Sequence, residues 1–270
     1  MLVAIVADLL INFSVPGTKA FKVRASTKES IVTLDNIWKS LAKVSLEVYY
    51  ETLCPYCAGF IVNHLPEIFQ HDLLSIVDLK LVPWGNANIK GNKTFACQHG
   101  PYECLLNTVQ ACAIDIWPQP DTHFSFIYCI EDLVLQGRRR EWRSCYTKLG
   151  LNSTLVDDCY RSDHGKELEL KFANETNALQ PPHEYVQWVV VDGKPLYEDD
   201  DNFISYICKA YKGPDAPKIC TQASYLSIVR EVEAKGKHST WKKNKVDHCL
   251  MDESDELSSC NVNASMQCVT

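Results

Sequence analysis

Residues 44–50 read VSLEVYY, with Val44, Leu46 and Val48 alternating against Ser45 and Glu47, and within four residues they run into Cys54-Pro55-Tyr56-Cys57. Period-two alternation marks a strand with one buried face. Beyond the cysteines, Ile61, Leu65, Ile68 and Phe69 recur at helical spacing. Pro66 falls inside that stripe and is expected to kink the helix or end its first segment. Alternation returns through Val77, Leu79 and Leu81 in SIVDLKLVPWG, a second strand. Strand, helix, strand in this order forms a unit whose two strands lie parallel. The cysteine pair is therefore expected where the first strand feeds the first helix.

Residues 97 to about 178 contain no convincing strand. Leu105, Val109, Cys112 and Ile116 share one helical face, and FSFIYCIEDLVLQG and KELELKFANETNAL also read as helices. Strand character resumes in YVQWVVVDGKPLY, where Asp192-Gly193 is a two-residue hairpin turn. The helix FISYICKAYKG follows, with Gly213-Pro214 as its stop. With the helical stretch set aside, the order is β-α-β, β-hairpin, α, which is that of thioredoxin. The expected fold class is α/β: a disulfide-rich, thioredoxin-like domain over 44–220 with a helical insertion at about 97–178. Residues 1–25 open on MLVAIVADLLINFSV, short and apolar like the core of a signal peptide. They lack a basic leading region and are interrupted by Asp8, so they are expected to form an atypical or truncated signal segment. Residues 26–43 read as a linker and 221–270 as a polar tail carrying Cys249, Cys260 and Cys268. No apolar run of 18 or more residues follows the start, so no membrane anchor is expected.

The chain has 270 residues, enough for a sizeable core, and a net charge of −7 that argues against a general nucleic-acid-binding surface. The run from Arg138 to Arg143 is expected to be a solvated helix face. Thirteen cysteines are many for a reducing compartment. Asn-X-Ser/Thr sequons at Asn92, Asn152, Asn174 and Asn263 point with them to the secretory route. The odd count leaves at least one cysteine without an intramolecular partner.

A thiol attacks only as thiolate, so a redox role for the pair needs a depressed pKa. A helix start supplies one, because its unpaired N–H groups and positive dipole end favour negative charge. Cys54 is the expected nucleophile, and Cys57, one turn later, the resolving thiol. Pro55 suits a first helical position, where its missing N–H costs nothing, and Tyr56 completes the spacer. Two other readings compete. A zinc half-site needs a second Cys or His pair, and no other C-x-x-C or H-x₃-H exists in the chain; no metal is expected. A static disulfide at this spacing would be a tight ring and a poor long-range staple.

A second motif, CQHGPYECLLNTVQAC, runs from Cys97 to Cys112. By itself it reads as a His-Gly turn, a helix start with Glu103 and then Asn107 one turn on, and three cysteines bracing the insertion. His99 reads first as structural. With its neighbours, the segment resembles the signature of the gamma-interferon-inducible lysosomal thiol reductase family, C-Q-H-G-x₂-E-C-x₂-N-x₄-C. Cys97, Gln98, His99, Gly100, Glu103, Cys104, Asn107 and Cys112 all match. YYETLCPYC, ALQPPHEYV, VDGKPL and CYRSDHGKEL are similar to other parts of that family, so the resemblance spans about residues 44–220. It implies a thioredoxin-like fold and reduction of protein disulfides through Cys54 and Cys57, in acidic lysosome-like or vacuolar compartments or after secretion. It also implies disulfide-containing protein substrates, no resident cofactor, and an external small-molecule or protein thiol as reductant. Acid makes the demand on Cys54 sharper: a thiol of pKa ~8.5 is about 0.03% thiolate at pH ~5, and one of pKa ~6 roughly 10%.

One position departs from the pattern. Gln187 stands in YVQW where members resembling this chain carry the proline that thioredoxin folds place, in cis, beside the redox pair. A cis bond before a residue other than proline costs about 3 kcal/mol, so this peptide is expected to be trans. Gln187 thereby favours the competing function, a weakly active or inactive disulfide-rich binding protein on the same scaffold. Two further pairings are expected, Cys208 with Cys220 and Cys145 with Cys159.

Overall fold

Alternation, helix signals and turn chemistry place the first elements where the sequence suggests. In the computed structural model, which describes residues 43–91, 94–221 and 268–269, β1 is Val44–Tyr50, followed by α1 (Pro55–Asn63) and the short α2 (Glu67–Gln70). Pro66 stands at the N-cap of α2, so the helical stripe is divided in two, as its proline requires. β2 (Val77–Pro83) runs parallel to β1, pairing Leu46 with Leu79 and Val48 with Leu81. A small hairpin, β3 (Asn88–Lys90) and β4 (Thr94–Ala96), precedes the insertion and was not anticipated.

The insertion is helical throughout: α3 (Pro101–Ile116), α4 (Pro120–Leu135), α5 (Ser144–Leu149), α6 (Ser153–Tyr160) and α7 (Asp163–Asn177). The basic run lies on an exposed 3₁₀ turn, Arg139–Glu141, with Arg138 paired to Glu141 at 2.6 Å. The chain then re-enters the sheet through β5 (Tyr185–Val186), β6 (Trp188–Val191) and β7 (Lys194–Pro195), and closes with α8 (Phe203–Ala210). Asp192 and Gly193 both have positive φ, 49° and 71°, the backbone that a tight hairpin turn demands. The last helix stops at Ala210, with Tyr211 extended, before Gly213-Pro214 is reached. Residues 268–269 (β8) pair antiparallel with β5.

The principal sheet has the order β2-β1-β6-β7, with β6 antiparallel to β1 and to β7. Parallel β1 and β2, the antiparallel hairpin and the flanking helices make this a thioredoxin-like α/β fold. Two apolar clusters sit on opposite faces of the sheet. Leu46, Val48 and Tyr50 with Leu81, Val189 and Val191 pack against Phe60 and Ile61 of α1 and Phe203 and Ile207 of α8. Tyr49, Val82, Trp188 and Val190 face Leu106, Val109, Phe126 and Phe172 of the insertion. Each such fully buried aliphatic or aromatic side chain contributes about 1.5–3 kcal/mol, so the insertion serves as the third layer of the core.

Among the described residues, four disulfides brace these layers: Cys97–Cys104, Cys112–Cys159, Cys129–Cys145 and Cys208–Cys220. The expected Cys208–Cys220 pair is present. The expected Cys145–Cys159 pair is not: Cys145 joins Cys129 of α4, and Cys159 joins Cys112 of α3. Partners are decided by which helices pack together, α5 on α4 and α6 on α3, and proximity in sequence does not report that. The signal segment, the linker, nearly all of the tail, and the sequons at Asn92 and Asn263 lie outside the described residues. Asn152 and Asn174 are exposed, on the N-cap of α6 and on α7.

Candidate active site

Cys54 is the N-cap of α1, with extended backbone (φ −72°, ψ 120°), and its carbonyl accepts the first helical bond from Ala58 at 3.0 Å. Pro55 takes the first helical position, and Tyr56 packs against the cluster that holds both cysteines. Cys57 follows on the first turn. Neither sulfur belongs to a disulfide, and the two side chains hydrogen-bond to each other. Both residues are fully buried, in the apolar cluster that includes Phe60, Phe124 and Val186. Burial pushes the Cys57 thiol well above its ordinary range. The Cys54 hydrogen bond and charge and the charge of Glu51 act in the same direction, and the Glu51 backbone N–H acts against them. Cys57 is thus held as a protonated thiol beside Cys54.

The signature segment converges on the three residues, Glu51-Thr52-Leu53, that connect β1 to Cys54. Gly100 has φ +87°, a backbone that favours glycine, and it turns the chain into α3 with Pro101 at the helix start. On α3, Glu103, Asn107 and Gln110 are spaced by four and three residues, so they share one face. All three are completely buried, forming a polar stripe in an apolar interior. Asn107 accepts the Thr52 backbone N–H at 3.0 Å, and the Thr52 hydroxyl donates to the Glu103 carbonyl at 3.4 Å. Gln110 accepts from the Tyr50 hydroxyl and donates to Glu131 of α4, each at 2.6 Å. The Cys97–Cys104 disulfide closes the turn before α3, and Gln98 accepts from the Asn86 side chain at 2.8 Å.

At the centre lies an ion-pair cluster. His99 Nδ1 contacts Glu103 Oε2 closely and Glu51 Oε1 at 3.3 Å, and the other Glu51 oxygen accepts the Asn86 backbone N–H at 3.0 Å. Burial alone would lower the His99 pKa, but its hydrogen bonds to Glu103 and Glu51 outweigh it and raise it to about 10. Glu51 is raised to about 7, chiefly by burial, with the charges of Glu103 and Cys54 adding to it and His99 opposing it. Gly85 makes room for this carboxyl: its φ is +57°, and a Cβ there would lie 2.7 Å from Glu51 Oε2. One nitrogen and two oxygens of Glu51, His99 and Glu103 fall within 4.8 Å of one another. A cation could use such a spacing, but an imidazole raised to about 10 is protonated in acid and turns an N–H, not a lone pair, to both carboxylates. Two further acids, Glu131 and Glu169, are fully buried and raised well above the carboxylate range by that burial.

Sequence reasoning joined Cys54 to Cys57 and picked out His99, Glu103 and Asn107, reading His99 first as structural. It missed Glu51, Gly85, Asn86, Gln110 and Glu131. The one signal for Glu51 was an acid inside the apolar junction YYETLC. Gln187 sits between β5 and β6, donating to Asp200 at 2.7 Å, and the Val186–Gln187 peptide is cis, contrary to the trans bond expected. The segment is fixed by buried Val186 and Trp188 on either side and by Asp200, contacts that local preference does not include. Val186 reaches the cluster around Cys54 and Cys57.

The family described as Gamma interferon inducible lysosomal thiol reductase (GILT) matches residues 45–149. The Gamma-interferon-responsive lysosomal thiol protein of Arabidopsis thaliana is 44% identical over 189 residues, covering 68% of this chain and 78% of that protein. The Gamma-interferon-inducible lysosomal thiol reductase of Mus musculus is 35% identical over 183 residues, covering 66% of this chain and 72% of that one. Among solved structures, oxidised BdbD from Bacillus subtilis has a TM-score of 0.45 and 13% identity, over 64% of this chain and 92% of that chain. With 44% identity to a relative most of whose length it spans, the chain belongs to the gamma-interferon-inducible lysosomal thiol reductase family.

Proposed function

We propose that this thiol-disulfide oxidoreductase reduces protein disulfides through Cys54 and Cys57. The observation that carries the reading is the contrast among the described cysteines: eight are locked in four disulfides, while two thiols stand together at the start of a helix. The Cys54 thiolate attacks one substrate sulfur, forming a mixed disulfide, and the other substrate sulfur leaves and takes a proton. Cys57 then loses its proton, attacks the Cys54 sulfur and releases the second substrate thiol. Two electrons have passed to the substrate, and the Cys54–Cys57 disulfide is returned to thiols by an external small-molecule or protein thiol. No resident cofactor is required. Because Cys54 is wholly covered, docking of a substrate has to part the side chains around it.

An acidic lysosomal, vacuolar or secretory setting fits the reading. The Arabidopsis and mouse relatives carry "lysosomal" in their names, and Asn152 and Asn174 are exposed where a glycan could attach. Among the described residues no helix is long and apolar enough to cross a membrane. The test is a protein-disulfide reduction assay at pH 5 with wild type, Cys54→Ser and Cys57→Ser. Wild type turns over, Cys54→Ser does not, and Cys57→Ser accumulates a mixed disulfide through Cys54. Wild-type activity no greater than that of Cys54→Ser refutes the assignment.

A further inference from the structure

Cys54 cannot become a thiolate inside a closed, largely apolar site without some group answering the new charge. Among the described residues, Tyr50 at the end of β1 interacts electrostatically with Cys57, Glu51 with both sulfurs, and Glu131 on α4 with Cys54. Glu169 on α7 acts on Tyr50, and His99 joins Glu51 to Glu103. Among the carboxyls, Glu51 alone is joined to the redox pair through its own backbone, whose N–H is directed to the Cys57 sulfur. Its side chain is also the one held by a cation on one oxygen and a backbone N–H on the other.

We propose that Glu51 is a redox-linked proton site: its carboxyl holds a proton while Cys54 is a thiolate and releases it when Cys54 enters a disulfide. His99 and Glu103 are its positioning residues. The proposal rests on Cys54 and Cys57 being the working pair. The cycle balances. Reduction of the Cys54–Cys57 disulfide by two electrons takes up one proton on the Cys57 sulfur and a second on Glu51, leaving Cys54 as thiolate. Oxidation by substrate returns both protons, which the two departing substrate sulfurs carry away as thiols. Glu131 and Glu169 keep their protons in either state, because burial favours their protonated forms and among the described residues neither has a cation to release them. Glu51, raised to about 7, is poised to change. His99 supplies the counter-charge that lets it ionise at all, and Glu103 fixes the imidazole.

The experiment equilibrates the full chain with mixtures of reduced and oxidised dithiothreitol from pH 4 to 9 and measures the fraction of Cys54–Cys57 disulfide. Wild type, Glu51→Gln, Glu131→Gln and His99→Gln are compared. Reduction of dithiothreitol also takes up two protons, so a wild type that takes up two gives an equilibrium constant independent of pH across the interval in which Glu51 titrates, whereas uptake of one alone makes it change tenfold per pH unit. Glu51→Gln acquires that tenfold dependence and Glu131→Gln stays flat. His99→Gln moves the flat interval to higher pH, a displacement that a purely structural loss would not produce. Should the variants fail to fold, the wild-type infrared difference spectrum at pH 7 decides, with a protonated-carboxyl band gained on reduction. An active wild type whose profile survives Glu51→Gln, or whose spectrum shows no such band, overturns this proposal alone. A wild type with no Cys54–Cys57 equilibrium overturns the functional reading as well.

Discussion

Replacing Asn107 by alanine tests whether the signature segment holds the redox junction in place. The Asn107 side chain is fully buried, and its oxygen is the acceptor for the Thr52 backbone N–H at 3.0 Å. Alanine leaves that N–H buried and unsatisfied, at a cost of about 1–3 kcal/mol. Nothing is lost from the amide nitrogen of Asn107, which has no hydrogen-bond partner. For a domain of this size the cost corresponds to a fall in Tm of about 2–12 °C. Thr52 is two residues from Cys54, so release of the Glu51–Leu53 segment also lowers turnover, by roughly tenfold for each 1.4 kcal/mol of lost positioning. Asn107→Asp sharpens the test. Its carboxyl would enter a closed space beside Glu103 and Glu51, where burial and like charge favour the protonated form. Neutral in acid, it can still accept from Thr52, so its melting temperature approaches wild type at pH 5 and falls away at pH 7.5. Thermal unfolding with disulfides intact, at both pH values, and turnover on a protein disulfide are the measurements. If Asn107→Ala melts within 1 °C of wild type and turns over at the same rate, the bond does not hold the loop.

Two further outcomes follow from the same interior. Glu51 and His99 both have raised pKa values in the folded chain, about 7 and about 10. Glu51 opposes folding progressively as pH rises from its unfolded pKa near 4.3 to about 7, because the unfolded chain ionises first. The His99 contribution is fully present below about 6.5 and is lost as pH rises towards about 10. The signs agree, so unfolding by urea at constant ionic strength should require several kcal/mol less at pH 9 than at pH 5; equal or greater stability at pH 9 contradicts this. Gln110→Leu removes both the acceptor of the Tyr50 hydroxyl and the donor to Glu131. Two buried groups left unpaired cost about 2–6 kcal/mol in denaturant titration, and a loss under 1 kcal/mol contradicts the network.

The parts of this arrangement that were legible in the sequence are those that local physics writes down. Alternation in VSLEVYY, proline at the helix start and Asp192-Gly193 at the hairpin each constrain a few adjacent residues, and those few set the sheet order. The spacing of Glu103, Asn107 and Gln110 on one helical face could also be read, although not what the face would meet. Long-range partnerships could not. Nothing near Glu51 announces that His99 will neutralise it, and nothing near Cys145 distinguishes Cys129 from Cys159. Both depend on how α3, α4, α5 and α6 stack, which is settled by the whole apolar surface. Gln187 illustrates the opposite error: a sound local preference for a trans peptide gave way to the packing of Val186 and Trp188 and the bond to Asp200.

A protein that breaks disulfides must also survive its own trade. Cys112–Cys159 and Cys129–Cys145 are at most 7% exposed and are sealed between helices, so a reductant reaches them only after the insertion opens. The Cys97–Cys104 bond is partly exposed, and thiol exchange requires access. It also clamps the turn that delivers His99 and Glu103 to the junction. The clamp at the signature turn is therefore open to thiol exchange while the two bonds inside the insertion are shut away from it.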